Sequence, residues 1–464
     1  MNSSASSDPS RAFFAPHALL PTGWARDVLL EWNEGGELVA VTPGARAPPD
    51  MASAAGAVIP GMPNLHSHAF QRAFAGLTEY RASDDDSFWS WRERMYRFAA
   101  AVSPDAMEDI ATHLYIEMLR TGYTSVCEFH YLHHDPHGQP YADPAEMALR
   151  LASAARRAGI GLTMLPVLYQ TSGFGGRNPL PEQRRFVNSV DALLGIVERL
   201  RASGVRTGAA PHSLRAVTPD ALNELLSGLR AIDANAPVHI HVAEQQREVD
   251  DCIAWSGERP LQWLLDHAAV DARWCLVHAT HVDGAELRAL AATGATVGLC
   301  PSTEANLGDG VFPAAAYVES GAAWGIGSDS HATVNASEEL RCLEYSQRLA
   351  LRRRNVLASA ATPEVAEHLW RSAVAGGARA SGRAIAGLAA GQQADFLRLS
   401  PDADLHGLTP SQGLASQLFA SHGANAIADV WVGGRRVVRD GIHPLANAAC
   451  QRFVAARAQL LREA

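Results

Sequence analysis

The chain of 464 residues contains no lysine, so all 39 of its basic residues are arginine. This excludes imine chemistry on an enzyme amine, and with it the attachment of pyridoxal phosphate. A pair of metal ions bridged by a carboxylated lysine is excluded as well, so a metal site here should hold a single ion. Cysteine is sparse: Cys127, Cys252, Cys275, Cys300, Cys342 and Cys450 are widely scattered, with no Cys-x-x-Cys pair. That spacing builds neither a disulfide framework nor a zinc knot, and the thiols read as reduced and cytosolic. No apolar run approaches the ~20 residues of a membrane-spanning helix. The opening MNSSASSDPSRAFF has no basic stretch leading into a hydrophobic core, so it does not read as a secretion signal. Basic runs are absent apart from Arg352-Arg353-Arg354, and the formal charge is −10. Nucleic acid and anionic membrane surfaces are therefore poor partners, and the triple arginine reads as a solvated helix end. The expectation is a soluble cytoplasmic enzyme acting on a small molecule.

What is present is hydrophobic and histidine-rich in particular places. A 47% hydrophobic content over this length can bury a large core, read as one big domain with a smaller one beside it. The most informative stretch is Pro60-Gly61-Met62-Pro63-Asn64-Leu65-His66-Ser67-His68. Side chains two apart on an extended backbone point the same way, so both imidazoles can reach one ion. Downstream, His241 and Glu244 (HIHVAE), His278 (CLVHATH) and Asp329 (GIGSDSH) each follow a short apolar segment in the same manner. Nitrogen ligands, a carboxylate and further proton-carrying groups together suit a hydrolytic metal site.

Apolar segments alternate with amphipathic ones along the chain, as in βα repeats. Candidate strands cover residues 57–59 running into the His66 segment, 125–130, 162–169, 207–210, 238–242, 275–278, 296–300 and 324–327. Helical patterns cover 105–120, 144–158, 181–201, 219–229 and 285–292, several opening with Pro or Asp and closing at Gly122 or Gly159. Eight such strands predict a (β/α)8 barrel, whose active site lies at the C-terminal strand ends. His66, His68, His130, Tyr131, His212, His241, His278 and Asp329 all fall at those ends. Near the N-terminus the pattern changes to short strands between turn residues, and residues 428–438 form a hairpin around Gly433-Gly434. The two termini are expected to meet in a small β-sandwich domain, dividing the chain into 1–56, a barrel over 57–384, and 385–464.

The combination PGMPNLHSHAFQRA, SFWSWRERMYR, CEFHYLHHD, HSLRAVTP, HIHVAEQQREVDDC, CLVHATH, STEANLGDG and GIGSDSH resembles the formimidoylglutamate deiminases of the amidohydrolase superfamily. The likeness spans essentially the whole chain, including residues 387–395, with which that superfamily re-enters its small domain. It implies metal ligation by His66, His68, His241 and Asp329, with one divalent ion, Zn²⁺ or alternatively Fe²⁺. His239 shares a strand face with His241 but is expected to be an interior residue satisfied by hydrogen bonds. The resemblance also implies catalytic roles for Glu244, His278 and Asp329, and leaves open how the proton steps divide among them. It places Arg92 and Arg215 on the substrate carboxylates, Tyr131 and His212 as further donors, and Gln71 near the formimino group. Arginine suits bidentate carboxylate binding. Two simpler readings compete: Arg92 stacked on tryptophans of a surface helix, and His212 with Arg215 decorating a loop. The implied activity is hydrolytic deimination of the dicarboxylate N-formimidoyl-L-glutamate to N-formyl-L-glutamate and ammonia in histidine degradation, by a homodimer. The rivals are a superfamily deaminase for a guanine, pterin, aminotriazine or adenosine-type substrate, and a non-catalytic barrel scaffold.

Overall fold

The computed structural model describes residues 11–48, 55–80, 88–400, 407–420 and 426–463. Among them are eight strands that run parallel around one barrel. They are β1 (Met62–Ser67), β2 (Tyr123–His130), β3 (Gly161–Leu168), β4 (Ala210–Pro211), β5 (Val238–Val242), β6 (Trp274–His278), β7 (Thr296–Leu299) and β8 (Trp324–Ile326). Two hydrogen-bonded sheets, β1 to β4 and β5 to β8, are closed by parallel bridges from Ala209 to Val238 and from Ser67 to Asp329. Strands buried on both faces read as near-continuous apolar runs, which is why these segments lack polar alternation. The intervening helices begin and end on local signals. Pro104–Arg120, for example, is capped by Ser103 Oγ accepting from the Ala106 amide, and the chain then leaves through Gly122 at φ 106°.

Two expectations need correction. Residues 57–59 do not start the barrel: Val58–Pro60 pairs antiparallel with Phe396–Leu399 and parallel with Ala18, inside the terminal sheet. Gly61 then carries the chain across to β1, at a point where a Cβ would lie 2.2 Å from Thr124. Residues 181–201 are not one helix. Pro181–Gln183 is a single 3-10 turn, and the helix is Val190–Ala202, capped by Ser189. Its inward positions, Leu193, Ile196, Val197 and Leu200, only begin after the cap, whereas Arg185 is buried and donates to His134 O at 2.8 Å.

The termini do meet. One seven-stranded sheet has the order Arg435–Val438, Ile427–Val432, Phe396–Leu399, Val58–Pro60, Ala12–Leu20, Gly23–Trp32 and Leu38–Thr42. Gly433 and Gly434, at φ 54° and 70°, make the expected two-residue hairpin turn. On this one terminal sheet the rings of Phe13, Trp32 and Trp431 all pack against Phe396 at 4.6–6.0 Å. The last helix, Ala446–Glu463, packs on the barrel helix instead, with Phe453 stacked on His113 at 4.4 Å. Arg352 caps the helix Ala336–Leu351 and, with Arg353 and Arg354, is exposed, as the sequence suggested. No helix among the described residues is long and apolar enough to cross a membrane.

Candidate active site

The C-terminal strand ends bring together residues hundreds of positions apart. His66 and His68 leave the end of β1, His241 sits on β5, His278 on β6, and Asp329 follows β8 at φ 43°. His66 Nε2 lies 3.1 Å from His68 Nε2 and 2.9 Å from His241 Nε2. Asp329 Oδ1 is 3.4 Å from His66 Nε2 and 3.3 Å from His68 Nε2. The outer nitrogens explain the arrangement. His68 Nδ1 is 2.9 Å from the Phe129 carbonyl, and His241 Nδ1 is 3.1 Å from the His212 carbonyl, so both carry their proton there. Their Nε2 lone pairs therefore face one another and His66 Nε2 in a buried space. Lone pairs held this way repel unless a cation lies among them, and two overlapping groups, His66 with His68 and Asp329 and His66 with His241 and His278, bring together donors suited to a divalent transition metal. His239, on the same strand, turns away and lies 2.8 Å from the Ala380 carbonyl.

The proton-carrying groups surround that cradle. His278 Nε2 is 3.8 Å from Asp329 Oδ2 and 3.7 Å from Glu244 Oε1, while its Nδ1 lies 3.2 Å from Glu304 Oε1. Burial disfavours a charged imidazole, but Glu244, Glu304 and Asp329 outweigh it and push His278 up to about 10. Burial likewise raises the Glu244 carboxyl above its ordinary range. Burial would raise the Asp329 carboxyl too, but the His66 and His68 imidazoles beside it outweigh this and hold it well below its ordinary range.

A cavity of about 390 Å³ opens above this floor, with Gln71, Arg92, Tyr131, His212 and Arg215 all in its wall. Gln71 Nε2 donates to the Tyr131 hydroxyl at 2.9 Å, and His212 Nδ1 lies 3.2 Å from Ser213 Oγ. Arg215 approaches Glu244 at 3.5 Å and Glu248 at 3.6 Å, and its buried Nε has no hydrogen-bond partner among the described residues. Arg92 stacks over the Trp89 ring at 4.4 Å, yet this stack forms part of the cavity wall. The stacking expected of Arg92 is therefore present, on Trp89, and it leaves the side chain facing the cavity.

Sequence reasoning passed over three carboxylates. Glu248 is fully buried, accepts from the Ala243 and Glu244 amides at 3.1 and 3.2 Å, and so pins the turn that carries Glu244. Glu304, in the short helix Pro301–Leu307 that follows β7, faces His278, while Asn306 pairs with Glu79 at 2.8 Å on the exposed side. Glu128, inside the apolar-looking β2, showed no signal at all.

A closed barrel with such a cradle at its strand ends defines a metal-dependent hydrolase. Residues 57–437 match the model of the Amidohydrolase family, and residues 10–52 match the N-terminal domain of formimidoylglutamate deiminase HutF. The chain belongs to the amidohydrolase family, on its formimidoylglutamate deiminase branch. It is 52% identical to the formimidoylglutamate deiminase of Pseudomonas aeruginosa, over 97% of this chain and 99% of that one. A 5-methylthioadenosine/S-adenosylhomocysteine deaminase of Natronomonas pharaonis is 28% identical, over 89% and 88%. Among solved structures, an amidohydrolase from Brucella melitensis superposes with a TM-score of 0.91 at 47% identity, covering 97% of this chain and 100% of that one. An adenosine deaminase from Xanthomonas campestris with bound zinc gives 0.76 at 25% identity, covering 98% and 99%.

Proposed function

We propose that this chain hydrolyses N-formimidoyl-L-glutamate to N-formyl-L-glutamate and ammonia, a step in histidine breakdown. The observation that carries this reading is the joining of the metal cradle, Glu244 and His278 to a cavity walled by Arg92 and Arg215. The near full-length identity to a formimidoylglutamate deiminase supports it independently. A planar base would be met by aromatic and amide contacts; two guanidiniums suit two carboxylates.

His66, His68, His241 and Asp329 would hold one divalent ion, Zn²⁺ in the first instance and Fe²⁺ as the alternative. When bound, the ion supplies the Lewis acidity that makes a water nucleophilic near neutral pH. The chain's own residues do the rest. Arg92 and Arg215 hold the glutamate carboxylates, and Gln71 and Tyr131 orient the formimino end. Glu244, whose carboxyl burial raises above its ordinary range, is placed to carry a proton and deliver it to the leaving nitrogen, since ammonia leaves where an amide anion does not. His278, opposite Asp329 and held through Nδ1 by Glu304, places its Nε2 to face the oxygen on which negative charge develops. Asp329 can pass on the second proton. The same reading includes a homodimer in the cytoplasm, for which light scattering on the purified protein checks the oligomeric part.

Incubating the purified protein with formimidoylglutamate and identifying products tests the reading. Ammonia and formylglutamate are expected. Formamide and glutamate, or turnover only of a purine, pterin or aminotriazine, would overturn it.

A further inference from the structure

Around the cradle, a second set of buried polar side chains ties the two ligand-bearing segments to each other. Asn64 and Ser67 flank His66 on β1, while Ser328 and His331 flank Asp329 after β8. Asn64 Nδ2 donates to Ser328 Oγ at 2.6 Å, and Ser328 Oγ lies 3.0 Å from His331 Nδ1. His331 Nε2 is 3.3 Å from Ser67 Oγ, and Ser67 Oγ donates to Glu128 at 2.7 Å. Glu128 also accepts from the Ala69 amide at 2.7 Å and the Tyr115 hydroxyl at 3.0 Å.

One set of proton positions satisfies every member of this chain. Asn64 donates to Ser328, Ser328 to His331 Nδ1, His331 Nε2–H to Ser67, and Ser67 to the Glu128 carboxylate. Bonds aligned head to tail polarise one another, and the carboxylate at the end fixes the direction. The backbone runs in parallel with it: Asp329 N donates to His66 O at 3.0 Å and His68 N to Asp329 O at 3.3 Å. Asp329 and His331 sit at φ 43° and 61°, a left-handed conformation that persists only where neighbours over-determine it. None of these side chains touches the cavity, and the proposed reaction uses none of them.

We infer that the chain from Asn64 through Ser328, His331 and Ser67 to Glu128 is a positioning device for the metal cradle. It sets the Asp329 carboxylate against His66 and His68 before any ion arrives, and Glu128 is its anchor. The inference rests on the reading that the cradle holds one divalent ion.

The decisive experiment is a zinc titration of metal-stripped wild type, Ser67→Ala and Glu128→Gln against a competing chelator, with circular dichroism to follow the fold. Ser67→Ala deletes a single hydroxyl, so it remains informative even if Glu128→Gln does not fold. Outer-shell partners of this kind are worth ~10- to 100-fold in metal affinity. A loss of that size in Ser67→Ala, with native dichroism and an altered visible spectrum of the cobalt-substituted protein, is expected. Wild-type affinity in Ser67→Ala would overturn the proposal. Failure of the wild type itself to bind zinc would overturn the metal reading beneath it, so the two failures are distinguishable.

Discussion

Glu244 occupies a position where two demands meet at a single side chain. It is buried, it lies 3.7 Å from His278, and its other oxygen faces Arg215 at 3.5 Å. Replacing Glu244 by Gln keeps the shape and removes the proton carrier, so kcat should fall by at least ~10²-fold with metal content near normal. Turnover close to the parent rate would move the acid role to Asp329. The arginines make a second, separable case. Among the described residues Arg92 has no carboxylate partner and stacks on Trp89, whereas Arg215 is shared with Glu244 and Glu248. Arg92→Gln should therefore cost ~10- to 100-fold in kcat/KM, expressed mainly in KM, the scale of one charge-assisted hydrogen bond. Arg215→Gln should lower kcat as well, because it releases Glu244, the carboxylate proposed as the proton carrier. Neither loss should appear fully on a formimino compound without carboxylates, and lysine should restore neither completely. Equal losses on the two substrates would assign both arginines to structure.

At the scale of elements, the barrel depends on how closely its helices approach its strands. Helix Val365–Ser381 packs its Gly376 against β8 so tightly that a Cβ there would lie 1.8 Å from the Trp324 carbonyl oxygen. Gly195, in helix Val190–Ala202, has open space where its Cβ would be. The same substitution should then have opposite signs at the two sites. Gly195→Ala should stabilise by ~0.4–1 kcal/mol through the unfolded chain, and Gly376→Ala should destabilise by ~1–3 kcal/mol through overpacking. Denaturant midpoints measured side by side check both; stabilisation by Gly376→Ala would mean that the helix moves off the barrel at little cost. Gly376 and Gly195 cannot be told apart on a helical pattern, because the difference lies entirely in what faces them. The 181–201 segment teaches a related lesson. Its sequence carries a proline start and an apolar stripe, yet Arg185 is spent on the His134 carbonyl and the helix waits for Ser189.

For the molecule as a whole, an ion held in the proposed cradle would couple metal to fold across the barrel seam. β1 and β8 close the cylinder at Ser67 and Asp329, so the ion would bridge the first strand to the last and both to β5. Stripping the metal leaves facing imidazole lone pairs with nothing between them, and the melting temperature should fall. An ion at 1,000 times its dissociation constant adds ~4 kcal/mol, reversibly. Calorimetry before and after chelation, followed by re-addition of zinc, is the measurement. An unchanged melting temperature in a protein shown to have lost its ion would mean that the ion binds the folded chain no better than the unfolded one and carries no share of the stability.

The amino-acid sequence by itself determined the chemistry available to this protein. Without lysine there is no imine and no carbamate bridge, and the period of apolar segments with polar residues at their ends already specified barrel strands and the side of the barrel that reacts. The His-x-His spacing told which way two imidazoles point, because two residues of extended backbone return to the same face. What sequence could not decide was everything that depends on closure. His239 and His241 have the same local facing, and only the packing of β5 against its neighbours sends one to Ala380 and the other to His66. Glu128, Glu248 and Glu304 acquire their roles from partners on other strands and loops, and no periodicity along the chain encodes who stands across a barrel. The division of Val58–Pro60 from β1 was hidden for the same reason. Both are short, buried and apolar, and the choice between two sheets is made by the strands beside them.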